Sequence, residues 1–422
     1  MKRDFTTTFI TEALVVAGYL LTFRLVANAL GTSGFGEYAL ARRTLAVLVP
    51  LGALSLDVAV ARYVAYAVSE GSERARRYAP AGIALVLAAV AILSALLLLF
   101  SGPLAELFFG SARYSNLVTP MPLLLLGGSL HGIAYGHLRG RSLILGANVL
   151  MALNQALIPV LAIVLFGSSV ENILLAMGIG WIAVSLVFLA FVPMSLRDPW
   201  PQVKQLLRYG VPRLPGDLLR LTVFALPSLL VAHVADITSA GGVAFAVAAV
   251  GMLGTALAPV GFVMLPVAAR LMAQGSIPEL RRHVVQIAQV TAVALSVAIV
   301  VVELFAPQIV SLYLGPRFAG TADSLRVIVP AALPWGLYMS LGSVIDAHHV
   351  NPVNARNMGV AFGVFLPVAG ALTLFHAPPL WIAAAFVLSL YVLGALTLFE
   401  IHSITTLRDA SLPLEPETNP QL

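Results

Sequence analysis

From end to end the chain is a succession of apolar runs of about 20 residues or more, broken by short polar stretches. A helix needs about 20 apolar residues to cross the hydrocarbon core of a bilayer. Runs of that length predict twelve spans. The first six are Phe9–Leu30, Tyr38–Val68, Ala79–Ser101, Leu117–Leu138, Leu143–Phe166 and Asn172–Met194. The second six are Tyr209–His233, Gly241–Met272, Val284–Phe305, Ala322–Ala347, Met358–Phe375 and Leu380–Ile401. The chain therefore reads as an all-α integral membrane protein. Pro413–Leu422, with three prolines and two glutamates, reads as a disordered tail.

The pattern repeats at an offset of roughly 205–210 residues. Thr32-Ser33-Gly34-Phe35-Gly36, between the first two spans, returns as Thr238-Ser239-Ala240-Gly241-Gly242 between the seventh and eighth. Ala61-Arg62-Tyr63-Val64-Ala65 returns as Ala269-Arg270-Leu271-Met272-Ala273. Leu107-Phe108-Phe109-Gly110 echoes Leu312-Tyr313-Leu314-Gly315. Three matches in the same order at equivalent positions predict two six-helix lobes related by an axis along the membrane normal. The expected division is a first lobe over 1–196, a linker over 197–206, a second lobe over 207–405 and a tail over 406–422.

Composition changes this picture little: 59% of the 422 residues are hydrophobic and 10% charged, with a mean hydropathy of +0.95. Soluble domains carry about a quarter charged residues, so lipid is the solvent. The first span is too long for a removable signal peptide and no small-residue cleavage site follows it, so it is expected to stay in the membrane. Charge placement adds an orientation. Lys2 and Arg3, then Arg74, Arg76 and Arg77, then Arg139 and Arg141 fall in alternate loops. Arg197, Lys204 and Arg208, then Arg281 and Arg282, then Arg356 and Arg408 continue the alternation. The positive-inside rule places both termini in the cytoplasm, as in a multi-pass protein of the cell membrane. The net charge of +5 reports this topology, not nucleic acid, because the basic residues form no patch interleaved with aromatics. The absence of cysteine excludes disulfides, thiolate metal sites and cysteine nucleophiles.

Three segments carry a family resemblance: Leu30-Gly31-Thr32-Ser33-Gly34-Phe35-Gly36-Glu37-Tyr38, Leu206-Leu207-Arg208-Tyr209-Gly210-Val211-Pro212-Arg213-Leu214-Pro215-Gly216-Asp217, and Tyr313-Leu314-Gly315-Pro316-Arg317-Phe318 with Leu325-Arg326-Val327-Ile328-Val329-Pro330. Through them nearly the whole chain resembles the polysaccharide-biosynthesis branch of the multidrug/oligosaccharidyl-lipid/polysaccharide exporter superfamily. The resemblance implies a flippase for undecaprenyl-pyrophosphate-linked oligosaccharides, serving O-antigen, capsule or exopolysaccharide synthesis. Its implied partners are the lipid-linked oligosaccharide, membrane lipids, a polysaccharide polymerase and glycosyltransferases. Lipid II flippases carry two further helices and central arginines, one with an acidic neighbour; here Arg24 is followed by Leu25. Multidrug exporters of the superfamily share the twelve-helix plan and bind cations through carboxylates, which makes a cation-coupled drug exporter the alternative.

An ionisable group inside a span costs about 2.5–3.5 kcal/mol on insertion scales, so it should meet a cavity or a partner. Arg24 lies deep in span 1 and shares a face with Asn28. Span 7 carries Arg213 near the interface and Asp217 and Arg220 deeper, with Asp217 and Arg220 spaced for an internal ion pair. Arg24, Asn28, Arg213, Asp217 and Arg220 are the candidate cavity residues, because guanidinium grips phosphate oxygens in bidentate fashion. His131 and Tyr135 join them, on one face with Arg139. Asp57, Arg62 and Asp346 are candidates for coupling or gating, with Asp346 and His349 expected to pair at the interface. Arg42 and Arg43 precede Arg62 by about one membrane thickness, so they are expected to snorkel to the two interfaces, with a role at the cavity mouths as the alternative. Prolines at 212, 215, 227, 259, 266, 330 and 334 predict bends. Gly31–Gly36 is a tight turn and not a phosphate loop, since no Lys-Ser/Thr follows. No cofactor, metal or catalytic constellation is expected. A glycan polymerase or ligase is disfavoured because the outer loops, near 102–116 and 306–321, are short.

Overall fold

The computed structural model describes residues 2–195, 199–349 and 351–406. The expected tail beyond 406, Arg197 and Arg408 lie outside the described residues, as do the side chains of Lys2 and Arg3. Eleven helices among the described residues are long and apolar enough to cross a membrane. The first, Thr6–Ala53, has 48 residues and would reach about 70 Å if straight, far beyond a bilayer core. It is not straight. Gly31 adopts φ 66° and ψ −161°, open to glycine because it has no Cβ. Phe23 then meets Phe35 at 5.3 Å and Tyr38 at 6.3 Å between ring centroids. Rings more than three turns apart in sequence touch only if the chain doubles back between them.

Residues 2–69 thus form α1 (residues 2–30) and α2 (32–69), and the expected twelve crossings are present. The others are α3 (Ala75–Leu99), α4 (Ala112–Gly140), α5 (Ile144–Phe166), α6 (Val170–Ala190), α7 (Trp200–Val234), α8 (Ile237–Ala273), α9 (Ile277–Tyr313), α10 (Thr321–His348), α11 (Val353–Leu374) and α12 (Pro379–Thr406). Polar caps start several of them. Ser169 Oγ accepts the Asn172 N–H ahead of α6 at 3.2 Å, and Asp236 Oδ1 accepts the Ser239 N–H ahead of α8 at 2.7 Å. The expected linker is helical from Trp200 onward. Its Val203 and Leu206 are buried where it packs on α2 and α3. A 3₁₀ turn at Val211–Arg213 then leads into the membrane part of α7.

The fold is the expected two-lobe repeat, α1–α6 and α7–α12. The repeat extends to helix breaks that hydropathy does not reveal. In α2, Leu54 and Ser55 take φ of 52° and 50° before the helix resumes at Leu56–Ser69. In α8 the helix stops at Thr255 and resumes at Ala258–Ala273; Pro259 has no N–H to continue the ladder. The second helix of each lobe is broken at an equivalent point.

The lobes meet tightly at one end. A Cβ on Gly36 would lie 2.1 Å from the Ile237 carbonyl oxygen, and one on Gly241 would lie 2.6 Å from Gly36 Cα. The two copies of the repeated turn therefore touch backbone to backbone. Phe35 packs edge-on against Phe318 at 5.3 Å, and the Tyr313 hydroxyl donates to the Leu20 carbonyl. At the other end, which carries Arg62, Arg139 and Arg270, the inner half of α2 packs on α3, α4 and the start of α7. The inner half of α8 packs instead on α9 and α10. One end is sealed by backbone contact; at the basic end the inner halves of α2 and α8 pack on different helices.

Candidate functional site

Arg42 and Arg43 lie about 17 Å along α2 from the turn at Gly31, near mid-depth. The expectation that they snorkel to an interface fails, because both point into the protein. Arg43 Nη2 donates to the Ala244 carbonyl of α8 at 2.8 Å, a bond between lobes. Arg42 lies between the rings of Tyr19 and Trp181, at 5.9 and 5.7 Å from their centroids. Its Nη1 is buried without a hydrogen-bond partner. A cavity of about 390 Å³ adjoins it, lined also by His131, Asn154, Gln155, Trp181 and, from the second lobe, Leu221.

Local backbone chemistry builds this cavity. Residues Leu153–Leu157 form a π turn in the middle of α5, with the Ile158 N–H on the Leu153 carbonyl. In that register the Asn154 carbonyl should receive the N–H of residue 159, which is a proline and has none. Trp181 Nε1 fills the gap, donating to that carbonyl at 2.5 Å. The Asn154 side chain is then held by Nδ2 bonds to His131 Nδ1 and Ser185 Oγ, each 3.1 Å, while Oδ1 has no partner. The contact engages His131 Nδ1 and leaves Nε2 as the ring's other polar atom.

The residues singled out from sequence fall in several places. His131 lines the cavity and stacks on Tyr135 at 5.8 Å, and Tyr135 accepts from Arg139 Nη1 at 3.0 Å. Arg24 and Asn28 are exposed on α1, with Arg24 near the Tyr313 hydroxyl at the sealed end. Arg220 is exposed on α7 and acts on Tyr338 of α10. It lies about 20 Å from the far end of α7, whereas Arg24 lies about 9 Å from the turn at Gly31. The two arginines are therefore offset in depth and do not converge on one point. Among the described residues Asp217 forms no salt bridge with Arg220; it accepts from Ser55 Oγ at 2.8 Å across the lobe boundary. Asp57 lies in the first turn of the helix that resumes after the break in α2, where a negative charge suits the helix N-terminus.

Arg62 and Arg213 share one acceptor at the basic end, the Tyr209 hydroxyl, at 3.2 and 2.8 Å. Both guanidiniums also lie over its ring, at 4.8 and 5.0 Å. Asp346 accepts from Asn354 Nδ2 at 2.7 Å. The expected Asp346–His349 pair is not formed: His349 faces Glu400 at 3.6 Å instead, beside Arg356. Sequence reasoning missed Asn154 and Trp181, and its interfacial expectation for Arg42 and Arg43 misplaced both. An Asn154-Gln155 pair inside an apolar span, with Pro159 five residues after the asparagine, was the available signal.

No family model matches the chain, and no curated protein matches it. Solved structures do. The lipid II flippase MurJ in an inward closed conformation aligns with a TM-score of 0.73 at 14% identity, covering 95% of this chain and 88% of that one. The fold is that of the MOP-superfamily transporters. An inward-facing MATE multidrug-resistance transporter of the MOP superfamily aligns at 0.68 and 16% identity, covering 94% of this chain and 98% of that one. The eukaryotic MATE transporter AtDTX14 aligns at 0.66 and 15% identity, covering 96% of each chain. These neighbours are transporters and a flippase, not enzymes. At such identities they establish the fold and leave the cargo to the residues of this chain.

Proposed function

We propose that this protein is a flippase that moves undecaprenyl-pyrophosphate-linked oligosaccharide repeat units from the cytoplasmic to the outer leaflet by alternating access. The observation that carries the reading is Arg42, a guanidinium at mid-depth beside a cavity whose lining contains no carboxylate. A cationic lining repels cationic drugs and attracts phosphates and acidic sugars. Arg24 and Arg220, offset in depth on α1 and α7, suit an elongated anionic cargo. With the basic end cytoplasmic, the end at which α2 and α8 part onto different helices faces the cytoplasm, where the lipid-linked substrate is made. Two of the similar solved structures are likewise described as inward conformations. Sugar polymerisation and further glycosyl transfer fall to partner enzymes.

Deleting the gene should abolish surface polysaccharide and leave its lipid-linked precursor in the cytoplasmic leaflet. Arg24→Ala and Arg220→Ala should each fail to restore the glycan while reaching the membrane at wild-type levels. Normal surface glycan in the deletion strain, with no precursor build-up, overturns the proposal. One observation favours a second reading, a cation-coupled multidrug exporter. Asp57 and Asp217 lie close enough to interact near the basic end, and paired carboxylates can bind a cation. That reading requires the deletion strain to become sensitive to cationic dyes.

A further inference from the structure

We infer that the mid-depth cavity of the first lobe is a subsite for a single anion-bearing sugar unit of the uronate class. Arg42 would take its carboxylate, Asn154 and Gln155 its hydroxyls, and Trp181 the face of its ring. The inference deepens the flippase proposal and rests on it for the presence of glycan.

Four observations lead to it. The cavity, about 390 Å³, sits at the low end of the roughly 300–1,000 Å³ range for small-ligand pockets, room for a ring or two and not for a polyprenyl chain. Its charge is uncompensated. Arg42 lies over two ring faces, Nη1 has no acceptor, and no carboxylate lines the cavity. Burying a charge without an opposite charge is costly, so an anion in the adjoining space stabilises the lobe as well as itself. The remaining polar groups are mixed in kind: the imidazole of His131, a free acceptor at Asn154 Oδ1 and the exposed amide of Gln155. Donors, acceptors and an aromatic face together match a ring of hydroxyls better than a bare anion. Finally, a single guanidinium balances one carboxylate, whereas a diphosphate would leave excess negative charge in a water-poor site.

The floor of the site is rigid for reasons unrelated to any ligand. The π turn at Leu153–Leu157 and the Trp181 bond to the Asn154 carbonyl hold α5 and α6 in register. Leu221 of α7 is the second-lobe residue in the lining, so the space opens toward the lobe interface. Any movement of α7 during alternation would reshape the mouth. A sugar seated there is thus coupled to the relative position of the lobes.

The test uses the full-length protein in lipid nanodiscs, titrated with glucuronate, glucose and inorganic pyrophosphate while tryptophan emission is followed. Glucuronate should give a saturable change that is absent in Trp181→Phe and at least tenfold weaker in Arg42→Gln, with partial recovery in Arg42→Lys. Glucose should bind at least tenfold more weakly than glucuronate, and pyrophosphate should not saturate the same signal. Gln155→Ala, an exposed position that leaves packing intact, should weaken glucuronate by threefold or more even if Arg42→Gln does not fold. The inference is overturned if glucuronate gives no saturable change, if pyrophosphate is preferred, or if Gln155→Ala and Arg42→Gln bind as wild type. Failure here with precursor still accumulating in the deletion strain removes only this subsite. Normal surface glycan in that strain removes the flippase reading itself.

Discussion

At the scale of single residues, the first lobe is organised by one missing proton. Pro159 cannot donate to the Asn154 carbonyl, and Trp181 does so instead. A buried carbonyl left without a partner costs about 1–3 kcal/mol. Trp181→Phe should therefore lower the thermal unfolding midpoint of the purified protein by a few degrees. Adding Pro159→Ala, which restores a backbone donor, should make the second loss smaller than the first. An additive double-mutant cycle would show that the indole N–H does not serve this carbonyl. The same neighbourhood explains why Arg42 was misplaced from sequence. Two adjacent arginines one membrane thickness from Arg62 look like interfacial snorkelling, and only the rings of Tyr19 and Trp181 reveal the inward direction. Arg62, exposed at the basic end with Tyr209, does fit the interfacial pattern.

At the scale of elements, the seam between α2 and α8 is made by small residues. Gly36 and Gly241 let two backbones touch, and Arg43 adds a charge-assisted hydrogen bond to the Ala244 carbonyl. Gly36→Val would place a side chain 2.1 Å from backbone at its first atom, and no flexible neighbour can yield. The variant should reach the membrane but populate a state open at the sealed end. Because the chain has no cysteine, this can be read with a single introduced thiol. Asn28→Cys should become severalfold more reactive toward an impermeant maleimide added from outside; unchanged reactivity would mean that the glycine seam does not hold that end shut. The breaks at Leu54–Ser55 and Ala256–Leu257 separate this fixed seam from the inner halves below it. The bends expected from proline at 212, 259 and 330 lie at such junctions in α7, α8 and α10.

For the molecule as a whole, two repeated lobes joined backbone to backbone at one end, with the inner halves of α2 and α8 packed on different helices at the other, suit alternating access. A short bifunctional thiol reagent should join Phe35→Cys to Phe318→Cys, whose parent rings are 5.3 Å apart. It should not join Ala65→Cys to Ala273→Cys, at the inner ends of α2 and α8. Locking the first pair should stop transport, and releasing a cleavable linker should restore it. Efficient joining of the second pair alone would reverse the assigned resting state.

Hydrophobic run length by itself determined the twelve crossings, because a bilayer admits few other shapes for such a chain. The internal repeat determined the two lobes, and the alternation of basic loops supplied the expected orientation. The deep arginines were visible as exceptions to an apolar pattern, and so was the turn at Gly31. Which of them share a space was not visible. That depends on how far α1 doubles back, on a π turn that shifts α5 by a fraction of a turn, and on the packing of α6 against it. Hydropathy averages over windows of residues and is blind to such rotations. Only tertiary structure decided that Arg42 points into a cavity, that Arg43 ties the lobes together, and that Arg24 and Arg220 stand at different depths.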